Sequence, residues 1–128
     1  MSEIDSKINR KKKELEYRLI QYSQCDKRIR SYYSDQIHIL KEEILDLESL
    51  KIFNMNINDN NIIDIHGATR YFIDYYLEDL LYLKSENNKS VKLITGKGTL
   101  TLFHLVKKFL KKYNFTFKIE DYSFQIQF

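Results

Sequence analysis

A chain of 128 residues, 43% apolar and 14% aromatic, holds enough hydrophobic material for one ordinary domain or a small domain with a helical arm, which excludes wholesale disorder. A net charge of +3 excludes a grossly basic nucleic-acid coat, so any anion site must come from a local patch. One cysteine, Cys25, and no Cys-x-x-Cys or His-x-x-x-His pair exclude an internal disulfide and give no sign of structural zinc; with no apolar run long enough for a membrane span or signal segment, the chain reads as soluble and cytoplasmic, with the nucleus as the alternative and no membrane among its partners.

Residues 2–53 contain neither Gly nor Pro, and apolar side chains recur at Leu15, Leu19, Tyr22, Ile29, Tyr33, Ile37, Leu40, Ile44 and Leu47, mostly three and four apart. This spacing predicts a helical arm over 1–53, hairpin or coiled-coil-like, in at least two pieces bent near Ser23–Asp26 or Ser31–Asp35. Its basic and acidic residues nearly balance, so the run Arg10-Lys11-Lys12-Lys13 reads as solvated surface, with phosphate docking or a nuclear signal as the functional alternative. Cys25 reads as a small packing residue, and His38 has no evident partner. Residues 54–61, Asn-Met-Asn-Ile-Asn-Asp-Asn-Asn, are polar and turn-prone and predict a linker.

A short strand then carries Ile62-Ile63-Asp64-Ile65-His66-Gly67. A helix follows over 69–83, with Thr69 as N-cap and Phe72/Ile73, Tyr76/Leu77 and Leu80/Leu81 as its apolar stripe. After a loop at 86–89, Ser90–Thr95 forms a second strand and Thr95-Gly96-Lys97-Gly98 a glycine-rich turn. A second helix over 100–113 buries Leu102, Leu105/Val106, Phe109 and Tyr113 and sets Lys107, Lys108, Lys111 and Lys112 on its other side. Alternating Phe115, Phe117, Ile119 and Phe124, Ile126, Phe128 around a turn at 120–123 predict a terminal hairpin. The order β-α-β-α-β-β predicts an α/β (α+β) domain over 62–128, two helices layered on a small mixed sheet. A right-handed crossover between parallel strands brings the loops after both strands to one sheet edge, where such folds bind ligands.

Strand alternation puts Asp64 and His66 on one face. A carboxylate beside an imidazole can fix its tautomer and leave one ring nitrogen for proton transfer; the plainer reading makes Asp64 a turn cap and His66 a satisfied surface histidine. Backbone amides around Gly96, Lys97 and Gly98, with the charge of Lys97, suit a phosphate. The stretch is no P-loop, since Val91 stands where the first glycine belongs and Gly98 where Ser or Thr would hold magnesium; nor is it a dinucleotide fingerprint, since Thr101 replaces the third glycine. Arg70 and Tyr71, opening the first helix, offer a phosphate contact and a stacking ring, and Lys108 and Lys112 a track for a strand held at the glycines; ordinary surface packing is the alternative for all four. His104 reads as structural. No cofactor is assigned, and Asp64 alone is too small a ligand set for magnesium, which leaves any need for a divalent metal open.

The pair Ile63-Asp64-Ile65-His66-Gly67 and Thr95-Gly96-Lys97-Gly98, in this order and context, resembles the paired signature of the Smr (small MutS-related) domain over residues 62–128, and Lys51-Ile52-Phe53-Asn54 is weakly similar to the helical region preceding that domain in some eukaryotic members. The resemblance implies an endonuclease, most of all one cleaving RNA in translation or mRNA quality control with the ribosome as a partner, and otherwise a DNA-nicking activity. It implies that Asp64 and His66 serve cleavage and that Gly67, Thr95, Gly96, Lys97 and Gly98, with Arg70, Lys108 and Lys112, contact nucleic acid. The chain departs from the family in a short loop after Gly98 and in Glu120-Asp121-Tyr122-Ser123 where many members carry glycine. A non-catalytic RNA- or DNA-binding adaptor, its arm pairing with itself or a protein partner, is the alternative.

Overall fold

The computed structural model describes residues 2–96, 98 and 100–128. They fall into two compact units, 1–48 and 49–128. In the first, α1 (Glu3–Gln24) starts at Ser2, whose hydroxyl accepts from Asp5 N at 3.1 Å, a hydroxyl N-cap. The chain leaves the helix at Cys25, in extended conformation, and Asp26 caps a single 3₁₀ turn (Lys27–Ile29) before α2 (Arg30–Met55) begins. The break therefore lies at the earlier of the two expected places. Ile8, Ile37, Leu40 and Ile44 are buried. Lys11 pairs with Glu43, and Lys12 with Glu48 at 3.3 Å, so two lysines of the basic run tie α1 to α2.

The second unit contains β1 (Ile62–Asp64), α3 (Arg70–Tyr75), α4 (Leu77–Asn87), β2 (Ser90–Ile94), α5 (Leu100–Lys112), β3 (Thr116–Glu120) and β4 (Ser123–Gln127). The sheet order is β1-β2-β4-β3, with β1 parallel to β2 and the other pairs antiparallel. Ile63, Ile65, Val91, Leu93, Phe124 and Ile126 supply the buried face of the sheet, packed in one core with Phe72, Ile73, Leu77, Leu80, Leu81, Leu102, Val106, Phe109 and Leu110 from the helices. Ile62, Asp64 and Lys92, alternating with the buried residues of β1 and β2, are exposed. This is the α+β, two-layer domain with a small mixed sheet, preceded by helix, that the hydrophobic pattern predicts.

Three local readings are corrected. The single helix expected over 69–83 is broken at Tyr76 (φ −126°, ψ −29°) and runs on to Asn87. The run Tyr71-Phe72-Ile73 and Tyr75-Tyr76 is rich in aromatic and β-branched residues that hold a helix weakly, and Tyr76 stacks on Phe72 (5.9 Å) and leans on Phe53 (5.8 Å). Thr69 takes the N-cap position without a side-chain bond. Tyr113, expected in the core, is 47% exposed, and Leu110 is buried instead. The helix stops one residue earlier because Asn114 adopts φ 58°, with Asn114 N donating to Lys111 O and Phe115 N to Leu110 O, a Schellman closure in which asparagine takes the left-handed position.

The polar stretch 54–61 is fastened to the domain. Met55 ends α2, Asn56 is buried, and the buried Lys84 ammonium donates to the backbone and side-chain oxygens of Asn58 and Asn60 at 2.9–3.2 Å. Desolvation lowers the Lys84 pKa from its ordinary value, against the opposing charge of Asp59.

Candidate functional site

β1 is three residues long, and its alternation decides the site: Ile63 and Ile65 are wholly buried, while the side chains of Asp64 and His66 are 46% and 71% exposed. Asp64 Oδ1 lies 2.7 Å from His66 Nδ1 and accepts the His66 backbone N–H at 3.1 Å. An ionised carboxylate can only accept, so Nδ1 carries the proton in this contact and Nε2 of the neutral ring is left with its lone pair. The exposed imidazole is thus oriented by a carboxylate two residues away, itself fixed by the turn.

The loop after β2 comes up beside this pair. Ile65 N donates to Ile94 O at 2.9 Å, extending the parallel ladder to the ends of both strands, and Gly96 follows with φ +87°. A Cβ built on Gly96 would stand 3.2 Å from His66 Cβ. Two sequence sites about thirty residues apart are therefore neighbours, as the crossover argument requires. Gly67 also has positive φ (+79°), with open space around a Cβ; among the described residues nothing lies within 4 Å of a Cβ on Gly98. Lys97 lies outside the described residues.

Thr95 is placed differently from the expectation. It is buried, and its hydroxyl donates to Tyr122 O at 2.9 Å, so the side chain fastens the β3–β4 turn to β2 and is not turned toward a ligand. Arg70, Lys108 and Lys112 meet in one cleft between α3 and α5, with Asp74, Glu78, Phe109 and Tyr113 also on its walls. Arg70 Nε stands 3.5 Å from Asp74 Oδ2, and Lys112 Nζ lies 5.4 Å from the Tyr113 ring. Three cations face two carboxylates there, which leaves the cleft basic but partly compensated. Lys107 is half-buried, so only Lys108, Lys111 and Lys112 of the four lysines are exposed. His104 is exposed, its ring edge-on to Phe103 at 5.7 Å. Among the described residues no three His, Cys, Asp or Glu side chains gather as a metal site, and no helix is long and apolar enough to cross a membrane.

Sequence reasoning passes over Asn56. Its buried carboxamide receives Asp64 N at 2.9 Å and donates to Asp64 O at 3.0 Å and Ile52 O at 2.8 Å. Asparagine in a polar run signals a turn, and nothing in the pattern marks this one as internal.

No family model matches the chain, and no curated protein matches it. Among solved structures, the solution structure of the B3BP Smr domain is similar, with 22% identity and a TM-score of 0.44 over 63% of this chain and 92% of its own.

Proposed function

We propose that residues 62–128 form an endonuclease domain that cleaves RNA. The observation that carries the reading is the Asp64–His66 contact of 2.7 Å beside Gly96, an oriented imidazole next to the start of the glycine-containing loop. The resemblance of the two motifs to the Smr signature supports it independently of the geometry. His66 Nε2 takes the proton of a ribose 2′-OH; the 2′-oxygen closes on phosphorus, and amides of the glycine turn stabilise the charge of the phosphorane. The 5′-oxygen leaves on the side opposite the attacking oxygen, beyond reach of the same imidazole, and takes its proton from water. The products are a 2′,3′-cyclic phosphate and a 5′-hydroxyl. Asp64 holds the tautomer and stabilises the imidazolium once formed. A role in mRNA quality control in the cytoplasm, with the ribosome presenting the substrate, extends the reading along the resemblance.

Full-length protein incubated with a long structured RNA should produce cyclic-phosphate ends. His66→Ala should slow cutting by about 10²–10⁴-fold, the range general acid–base groups supply, with an unchanged melting temperature, and a 2′-deoxy substitution at the cut site should block it. Cutting that survives His66→Ala rejects the assignment. Tight RNA binding without turnover would favour the adaptor reading, and nicking of duplex DNA a different nucleophile.

A further inference from the structure

β1 is an edge strand, and the hydrogen-bonding groups of successive residues in a parallel strand point alternately to either side. Ile65 N points at β2, where it meets Ile94 O; the backbone groups of Asp64 therefore point outward, to the edge where no strand of the described residues lies. Both are met there by the carboxamide of Asn56, its Oδ1 accepting Asp64 N at 2.9 Å and its Nδ2 donating to Asp64 O at 3.0 Å. One side chain stands in for a neighbouring strand at one residue. The same Nδ2 donates to Ile52 O at 2.8 Å, so the clamp is rooted in the last turn of α2. Asn56 is 5% exposed, which keeps water from competing for these bonds.

We infer that Asn56 is a positioning residue for His66, acting through Asp64. A rotation of the Asp64 peptide would swing its carboxylate, and Oδ1 of that carboxylate holds both the ring and the backbone N–H of His66. The three residues form a chain: a buried amide fixes a backbone, the backbone aims a carboxylate, and the carboxylate selects the imidazole tautomer that leaves Nε2 to accept a proton. The inference rests on the proposed nuclease reading for its consequence in catalysis; the tautomer itself does not.

The test compares the full chain with Asn56→Ala and Asn56→Asp, reading the ring nitrogens of His66 by NMR and cleavage of the same structured RNA. Asn56→Asp keeps the acceptor for Asp64 N but turns an oxygen toward the carbonyls of Asp64 and Ile52. In a folded variant the Nδ1–H tautomer should give way to the Nε2–H form favoured in water, kcat should fall roughly tenfold or more as misplaced groups do, and KM should hold, since Asn56 is buried away from any ligand. Retention of the Nδ1–H tautomer in a folded variant overturns the inference, whatever happens to stability. If neither variant folds, the intact chain decides: a through-bond coupling between Asp64 N and Asn56 Cγ supports the clamp and its absence removes it. A protein that cuts no RNA refutes the nuclease reading alone, because the tautomer readout is independent of turnover.

Discussion

Gly96 and Gly98 sit two positions apart and face different constraints. Gly96 combines φ +87° with a Cβ position 3.2 Å from His66 Cβ, so an alanine there is strained in its backbone and pushes on the imidazole. Gly96→Ala should cost about 1–3 kcal/mol, the range for residues held in disfavoured regions, and reduce cleavage beyond what stability explains. At Gly98 a Cβ meets nothing within 4 Å among the described residues, and if this position contacts nucleic acid, glycine there serves the close approach of a ligand. Gly98→Ala should melt within about 0.5 kcal/mol of the parent, as surface changes do, yet weaken RNA binding. Binding that is untouched in Gly98→Ala, measured by fluorescence anisotropy, would remove Gly98 from the interface. Both glycines stand out in the sequence, but only the backbone geometry separates the one required by its neighbour from the one that leaves space.

α5 and the terminal hairpin were legible because each element keeps one period: apolar residues three and four apart over 100–112, then every second residue over 115–119 and, after the turn, over 124–128. The break between α3 and α4 was not, since the hydrophobic stripe continues through Tyr76 into Leu77 and Leu80 while the backbone turns, and periodicity reports a buried face, not the continuity of hydrogen bonds. What the period of α5 could not give is its opposing wall. Arg70 from α3 joins Lys108 and Lys112 across a cleft that also holds Asp74 and Glu78, so the lysine face is one side of a mixed-charge groove. If nucleic acid runs through it, Lys108→Glu with Lys112→Glu should weaken binding and flatten the dependence of log K on log salt by about 0.7–0.9 for each phosphate no longer neutralised. Asp74→Asn, which releases Arg70 from its partner at 3.5 Å, should act in the opposite direction. Melting temperatures should move little, because exposed charge pairs contribute about 0–1 kcal/mol. Filter-binding titrations at several salt concentrations with neither affinity nor slope altered would return the groove to solvent.

At the scale of the molecule, the composition shift at residue 54 and the end of the compact domain do not coincide. The polar run 54–61 looks like a linker because hydrophobic patterning has no sign for a buried amide; Asn56 and Lys84 are internal only because particular oxygens and N–H groups meet them, and most of those partners lie well away in sequence. The compact unit begins at Ser49, where the last turns of α2 bring Ile52 and Phe53 against the core and Ile52 O to the Asn56 amide. The two boundaries make different predictions for truncated chains. A fragment of residues 49–128 should fold cooperatively and keep the His66 tautomer. A fragment of residues 54–128 loses two half-buried side chains, each contributing about half of the roughly 1.5–3 kcal/mol of full burial, and one anchor of the Asn56 clamp. For a domain of this size that loss should lower the melting temperature by about 10 °C or more, and the less firmly held cover on the β1 edge should raise the tendency to associate through strand pairing. Differential scanning calorimetry and sedimentation of the two fragments check both expectations. Equal melting of the two would mean that Ile52 and Phe53 only rest on the domain, and would move its start to the composition shift at residue 54.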